Sequence, residues 1–582
     1  MAESLKDLPV LVVDCQATGA NPERGHLLEI GWGAIRGVDF RKPSRKNFSS
    51  CLLRIPETTG IPRKVQQITG IVPEDLSDAV SPRKAWTRLC RKAEKITLSN
   101  RCCPAVIHFS RYEKPFLEKL HRQTFPGKPF PLDIICTHEM VRRLFPGLPR
   151  KGLRAVAGYF GHTVPEKRRS LDHAVATGII WQNCVATLGE SSDIRTYEAL
   201  SGWLEHKPII GGGDRSYPMD RSIRLGLPDE PGIYRMRRSN KDILYIGKAQ
   251  SLKHRVNSYF QKHRKHPEHT LEMLTQAKDM DVTVTGSALE AAVMESDEIK
   301  TLKPQYNIAL RERGRAARFC SRDFSRVSET PDTLCCLGPV TSAEVVNALY
   351  IIAGLVARTR NDVADSETVA RALSLPVEYA PDADIFNDGF QVFCSRHGSF
   401  LKGRSLRSAL LRLGANFWQQ RQVEKEATQN ETGDPATAQQ LQEPVQERVW
   451  TPDAVSDAVE RCIERGAHYF RRARWFLLLS EARVAWYGRN PAEAEKHMAL
   501  FDRGQLRRIG TMAVDDPLPV PSGFRRNHKE RLQSFDLITY DRMRVVTTEI
   551  RRLVSEGRDV EIRLTETAFM RREALGKILR WV

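Results

Sequence analysis

Two hydrophobic periods run through this chain of 582 residues. Leu8–Asp14 (LPVLVVD) is a nearly unbroken apolar run ending in an acid, the pattern of a strand covered on both faces. HLLEIGWGAI (26–35) predicts a second strand, and AVIHFSRYEKPFL (105–117) predicts a strand that enters a helix. KGLRAVAGYF (151–160) and RRSLDHAVATGIIW (168–181) place apolar residues three and four apart, which predicts amphipathic helices. Residues 231–260 (PGIYRMRRSNKDILYIGKAQSLKHRVNSYF) predict a strand ending in Tyr234, a hairpin, a second strand carrying Tyr245 and a helix carrying Arg255. Beyond residue 313, SETVARALSL, GRSLRSALLRLGANFW and NALYIIAGLVA read as helices, and RWFLLLSEARVAWYG (474–488) as a hairpin.

Between these elements the pattern breaks. SSDIRTYEALSGWLEHKPI reads as a helical connector leading to a Gly-rich turn, GGGD (211–214). Residues 422–448 contain only Val423, Leu441 and Val445 as large apolar residues, too few to offset the entropy of ordering, so a disordered linker is expected. The resulting division is 1–190, a connector 191–226, 227–312, a mostly helical 313–421, the linker 422–448, and an α+β segment 449–582.

Composition narrows the partners. Lys+Arg exceed Asp+Glu by 90 − 71 = 19, with a pI near 9.5, a balance that attracts a polyanion before any specific contact forms. Cations crowd the 231–265 segment: Arg235, Arg237, Arg238, Lys241, Lys248, Lys253, Arg255, Lys262, Arg264 and Lys265. A second group, Arg503, Arg507, Arg508, Arg525, Arg526, Lys529 and Arg531, adjoins no recognisable motif. No apolar run reaches membrane-spanning length, so no membrane partner is expected. The start MAESLKDLPV lacks the apolar core of a signal peptide, and a cytoplasmic location follows. The 12 cysteines show no CxxC spacing; Cys102-Cys103 and Cys335-Cys336 are adjacent pairs poorly shaped to chelate one ion, so reduced thiols are expected.

Phenols, a guanidinium and a carboxylate gathered in 231–307 suit phosphodiester hydrolysis, in which a water attacks and a cation neutralises the developing charge. The segments LPDEPGIY, YIGKAQSLKHRVNSYF and EAAVMESDEIKTLKPQYN resemble, over about 84 residues, the GIY-YIG nuclease domain of the UvrC and Cho subunits of bacterial nucleotide-excision repair. The resemblance implies Tyr245 as the base that takes the water proton, Tyr234 hydrogen-bonding beside it, and Lys248 lowering its pKa. It implies Arg255 on the scissile phosphate, Tyr259 facing the same way, Asn307 supporting the site, and Glu295 holding a single Mg²⁺ or Mn²⁺. DNA is the implied substrate and the UvrA and UvrB damage-recognition proteins are implied partners. The UvrB-binding segment, second nuclease domain and helix-hairpin-helix repeats of a full UvrC have no visible signature, nor do Cys320, Cys335, Cys336 and Cys394 match its iron–sulfur cysteine run. A Cho-like enzyme making one 3′ incision is the expectation.

Residues 1–190, with DCQATG, the Ile68-Thr69-Gly70 segment and the final helix, resemble a DnaQ-like 3′–5′ exonuclease domain of the DEDDh type. Its catalytic letters have changed. Asp14 is kept, but Gln16 stands for the glutamate of DxExTG, Glu113 for an aspartate, and Arg168 and His173 for the His and Asp of HxxxxD. Holding two divalent cations demands dense negative charge, and two carboxylates with a nearby arginine do not supply it. Asp172, one position early, points about 100° away on a helix. An exonuclease-inactive domain is expected; a one-metal site of Asp14, Glu113 and His173 is the minority alternative. The fold class is therefore multidomain α/β: an RNase H-like exonuclease fold, a small GIY-YIG α/β domain and a mostly helical C-terminal region. A scaffold without an active site, or a nuclease for mobile-element or phage DNA, are the rival readings of function.

Overall fold

A computed structural model describes residues 4–37, 43–97, 102–191, 194–206, 215–261, 265–307, 316–357, 364–401, 405–432, 449–487, 494–520, 528–565 and 568–580. The chain forms two compact units, Met1–Val284 with Leu302–Ala309, and Thr285–Thr301 with Leu310–Val582.

The first unit begins with strands β1 (Pro9–Ala17), β2 (Leu27–Arg36), β3 (Phe48–Leu52), β4 (Cys103–Ile107) and β5 (Leu132–Cys136), in sheet order β3-β2-β1-β4-β5. β1 pairs antiparallel with β2 and parallel with β4. The apolar run of β1 is unbroken because both sheet faces are covered. Val10 and Val12 pack with Val175, Ile179 and Trp181 of the helix Ser170–Ser191. Leu11 and Val13 face the other way, toward Trp86, Leu89, Phe116 and Leu117. Burying each such side chain contributes about 1.5–3 kcal/mol before entropy is counted.

The same unit holds a second sheet, ordered β7-β6-β8, of β6 (Gly232–Arg237), β7 (Ile243–Ala249) and β8 (Asp279–Val284). β6 continues three residues past Tyr234, so Tyr234 sits inside the strand and not at its end. The β6–β7 hairpin turns through Lys241 in a left-handed conformation, φ +72°. Arg238, next to that turn and only 2% exposed, ties the hairpin to the preceding fold. Its Nε donates to Gln276 Oε1 at 2.9 Å, one terminal nitrogen to Thr163 Oγ1 at 2.9 Å and the other to Gln305 Oε1 at 2.6 Å. Gln305 in turn donates to the carbonyl of Val164 at 3.1 Å.

The second unit contains a small sheet, β10-β9-β11, of β9 (Arg318–Ser321), β10 (Val327–Ser328) and β11 (Cys335–Val340). Helices Ala343–Ala357, Ser366–Leu373, Ala383–Leu401, Leu406–Thr432 and Pro452–Leu479 follow. A five-stranded sheet, β14-β13-β12-β15-β16, ends the unit: β12 (Arg483–Tyr487), β13 (Glu495–Asp502), β14 (Gln505–Ala513), β15 (Val560–Arg563) and β16 (Phe569–Met570). Two segments differ from what the sequence pattern predicts. Residues 474–488 are not a hairpin: Arg474–Leu479 finish the long helix, with Trp475, Phe476, Leu477 and Leu479 all buried, and only Arg483–Tyr487 form a strand. An apolar run buried all round has no period to distinguish helix from strand. Residues 422–432 are helical, continuing Leu406–Thr432, because Gln, Glu, Lys and Ala favour helix. Residues 433–448 and the GGGD turn lie outside the described residues. No helix among the described residues is long and apolar enough to cross a membrane.

Arg238→Met would leave the buried acceptors of Gln276 and Gln305 without their donor. It should destabilise the protein by about 2–3 kcal/mol, seen as an earlier unfolding transition in denaturant; an unchanged midpoint would contradict the role given to this arginine.

Candidate nuclease sites

Antiparallel register builds the first site. Tyr234 lies opposite Gly247, and Met236 opposite Tyr245, so the Tyr234 and Tyr245 rings share one face of the hairpin, centroids 6.1 Å apart. Gly247 is required at that place: a Cβ there would stand 2.4 Å from the Tyr234 ring and hydroxyl. Ser251 caps the helix Leu252–Asn257, its Oγ accepting from the His254 amide, and this short helix carries Arg255. A 3₁₀ turn, Ser258–Phe260, follows and presents Tyr259.

These elements bring Tyr234, Tyr259 and Arg255 into one chain of contacts. The Tyr234 and Tyr259 hydroxyls are 3.0 Å apart, and Arg255 donates to the Tyr259 hydroxyl at 3.2 Å with its guanidinium 5.1 Å from that ring's centre. Tyr234 is fully buried, and burial first, then the Tyr259 and Tyr245 phenols, push its pKa well above the ordinary phenol value. Burial works against the charge of Arg255, but the surrounding phenols raise its pKa on balance. Tyr245 is half-buried on β7. Lys248 stands three positions further along β7, so strand alternation turns it to the opposite sheet face from Tyr245. Asn307 closes the edge of β7: its Oδ1 accepts from the Ile246 amide at 2.9 Å and its Nδ2 donates to the Ile246 carbonyl at 2.8 Å.

Glu295 lies half-buried on the helix Ala288–Leu302, most of which belongs to the second unit. Glu290, the other acid of that helix's early turns, accepts from the Gly286 amide and is engaged as a local cap.

The cationic surface is thinner than the sequence implies. Arg235 and Arg237 both pair with Asp281, Lys241 pairs with Asp279, and Arg238 is interior. Lys262 and Arg264 lie outside the described residues. In the C-terminal group Arg531 is buried against Glu481 at 3.1 Å and Arg507 pairs with Asp502 at 3.2 Å, while Arg525 and Arg526 are outside the described residues.

The second candidate site lies at the end of β1. Asp14 is 4% exposed; its Oδ1 is 3.3 Å from His173 Nδ1, and its Oδ2 accepts from the Gln16 side-chain Nε2 at 2.9 Å. His173 Nε2 is buried without a hydrogen-bond partner. Glu113 accepts from the Cys15 amide at 3.0 Å. Burial, then the nearby Asp14 carboxylate, push the Glu113 pKa well above the usual carboxylate range. Arg168 is exposed, with its amide bonded to the Ile68 carbonyl, and Asp172 turns to Arg45 at 2.7 Å. Gln16 and His173 thus occupy the Asp14 oxygens, and Glu113 is driven toward its neutral form. Among the described residues no three His, Cys, Asp or Glu side chains gather as a set of metal ligands. The residues that brace this site were invisible in sequence. Glu29, 2% exposed, takes Arg169 and the Ser170 amide at 2.7 Å and thereby fixes the start of the helix bearing His173; a partner 140 residues away leaves no local signature.

Comparison with known proteins matches two stretches of the chain to nuclease families. Residues 230–308 match the family model described as a UvrC-like GIY-YIG domain, and residues 11–178 match one described as an exonuclease. The chain thus joins a DnaQ-like exonuclease domain to a UvrC-like GIY-YIG domain. Among individual relatives, UvrABC system protein C of Clostridium botulinum is 42% identical over 86 residues, 15% of this chain and 14% of that protein. The Clostridium kluyveri protein of the same name is 43% identical over 96 residues, 16% of this chain and 15% of that protein. The chain thus aligns with about one seventh of the length of these relatives. Solved structures include the GIY-YIG N-terminal endonuclease domain of UvrC from Thermotoga maritima bound to magnesium, at 30% identity and TM-score 0.14, covering 16% of this chain and all of that one. The nuclease domain of 3'hExo, a DEDDh family member, aligns at 14% identity and TM-score 0.27, covering 33% of this chain and 98% of that one.

The raised Glu113 pKa has a definite sign in stability. Folding holds this proton more tightly than the unfolded chain does, so the contribution is complete below the unfolded carboxyl value of about 4.3 and is lost as pH rises through the higher folded value. Glu113→Gln should remove that loss: its melting temperature relative to the parent should climb between pH 5 and pH 8. Parallel melting curves across that range would refute the assignment.

Proposed function

We propose that this protein is a DNA endonuclease that nicks one strand by water attack at the GIY-YIG site, in the setting of nucleotide-excision repair. The observation that carries the reading is the Arg255–Tyr259–Tyr234 chain, which holds a cation and a series of phenols in one fixed cluster. Tyr234, driven toward its protonated form by burial, serves as a donor and orienting group. The base role therefore falls to the half-buried Tyr245, whose hydroxyl accepts the proton of the attacking water. Arg255, reaching solvent while anchored on Tyr259, binds the scissile phosphate and neutralises the charge that builds there. Lys248, across an edge strand, adds positive potential for the DNA backbone.

Glu295 is the ligand for a divalent cation. A half-buried carboxylate suits a hard ion that keeps most of its water shell, as Mg²⁺ does, with Mn²⁺ as its substitute. Such a cation, when bound, supplies Lewis-acid stabilisation of the leaving oxygen. By likeness to the UvrC relatives, incision falls 3′ to a lesion and substrate is delivered by UvrA and UvrB. Residues 1–190 are inactive as an exonuclease and serve as a binding surface, because Gln16 and His173 occupy the oxygens of Asp14 that would hold metal.

Nicking of a lesion-bearing duplex with Mg²⁺, with and without UvrA and UvrB, tests the reading. Arg255→Ala and Tyr245→Phe should each lower kcat roughly 10²–10³-fold, and Glu295→Ala should abolish nicking while DNA affinity in a shift assay stays near that of the parent. Normal turnover in all three would place the chemistry elsewhere. A full-length Glu295→Ala protein should also leave single-stranded 3′ ends intact. Degradation of those ends that disappears on adding Asp14→Ala would show a working exonuclease.

A further inference from the structure

The helix Ala288–Leu302 carries Glu295 on one side and is gripped on the other. Leu289 and Val293, 2% and 4% exposed, belong to the core that includes Trp475, Phe476, Tyr540 and Met543. Arg542 donates to Asp297 Oδ1 from Nε at 3.1 Å and from one terminal nitrogen at 2.8 Å, while its other terminal nitrogen donates to the Gly504 carbonyl at 2.8 Å. Lys300 Nζ lies 3.1 Å from Asp541 and donates to the carbonyls of Leu537 and Ile538 at 3.2 and 3.4 Å. Lys300, Asp541 and Arg542 are 7%, 1% and 8% exposed. At about 100° per residue, positions 289, 293, 297 and 300 form one stripe, and 295 falls on the far side of the helix.

Apolar contact alone lets a helix rotate or slide at modest cost. The ionic groups add a constraint of another kind, because a desolvated charge tolerates only the register in which its partner is present. The Lys300–Asp541 pair is buried on both sides, and Arg542, itself buried, reaches the half-exposed Asp297; both contacts flank the last turns of the helix just beyond Glu295. Their partners sit next to each other on the helix Leu537–Ser555. Deep burial of that helix by Met543, Val546 and Ile550 makes it a fixed reference.

We propose that the C-terminal region is the positional support of the metal site: Asp541 and Arg542 are positioning residues that fix the rotation and register of the helix bearing Glu295, and thereby set its affinity for the divalent cation. This rests on Glu295 being the metal ligand, as argued above.

The test is Mn²⁺ binding by the full chain, read from the electron paramagnetic resonance signal of free Mn²⁺, with thermal unfolding recorded alongside. The relevant site is the one lost in Glu295→Ala. Arg542→Met should weaken binding there roughly tenfold, the lower end of what removal of a supporting partner costs a metal site. Arg542→Lys, which keeps the charge but cannot span Asp297 and Gly504 together, should fall between Met and parent. Should the Met variant fail to fold, Asp297→Asn and Arg542→Lys decide by the same criterion. Isotherms of the folded variants that overlay the parent, with Glu295→Ala still abolishing the site, would overturn the positional role and leave the metal assignment standing. Undiminished Mn²⁺ binding in Glu295→Ala would overturn both.

Discussion

The burial of one phenol organises the GIY-YIG site. Tyr234 has no water to bond, so its hydroxyl must find a protein partner, and Tyr259 supplies it at 3.0 Å. Tyr259 reaches that place only because the helix bearing Arg255 ends in a tight turn at Ser258–Phe260. The ring itself fits only because residue 247 has no side chain. Geometry that appears as four separate motif letters is one packing problem with one solution. Its electrostatic result is a phenol held neutral beside a guanidinium held charged.

The N-terminal site shows the opposite history of the same kind of constraint. Asp14 still sits at the end of a buried strand, where an isolated carboxylate is costly. In this chain one oxygen accepts a hydrogen bond from the Gln16 side-chain amide and the other faces His173, so the buried carboxylate is met by polar groups within the protein. The sheet, the two apolar faces of β1 and the Glu29 brace are held by contacts that do not involve the Asp14 oxygens.

Much of this was legible in sequence, for identifiable reasons. The strand at LPVLVVD, the entry of 105–117 into a helix and the helix at 168–181 follow from hydrophobic period, and the structure has all three. The motif letters of 231–260 gave the cluster because the hairpin and following helix are local. What failed was of two kinds. Apolar runs without a period, such as 474–479, do not announce helix or strand, and polar helix formers such as those of 422–432 look like linker when only burial is counted. What could not be read at all was pairing over distance: Arg238 to Thr163, Glu29 to Arg169, and Asp297 to Arg542 are each held by partners far along the chain. For the same reason the cationic tally overstated the free charge, since Asp279 and Asp281 neutralise cations from the neighbouring strand.

Asn307 gives β7 a further property. An edge strand offers its unpaired backbone groups to any extended chain that comes alongside, and continuous pairing needs every second residue free. At Ile246 both backbone groups are already taken by a single side-chain amide. The amide acts as a one-residue strand: it ends the sheet at the midpoint of the motif and blocks the register in which a second hairpin would zip onto the first.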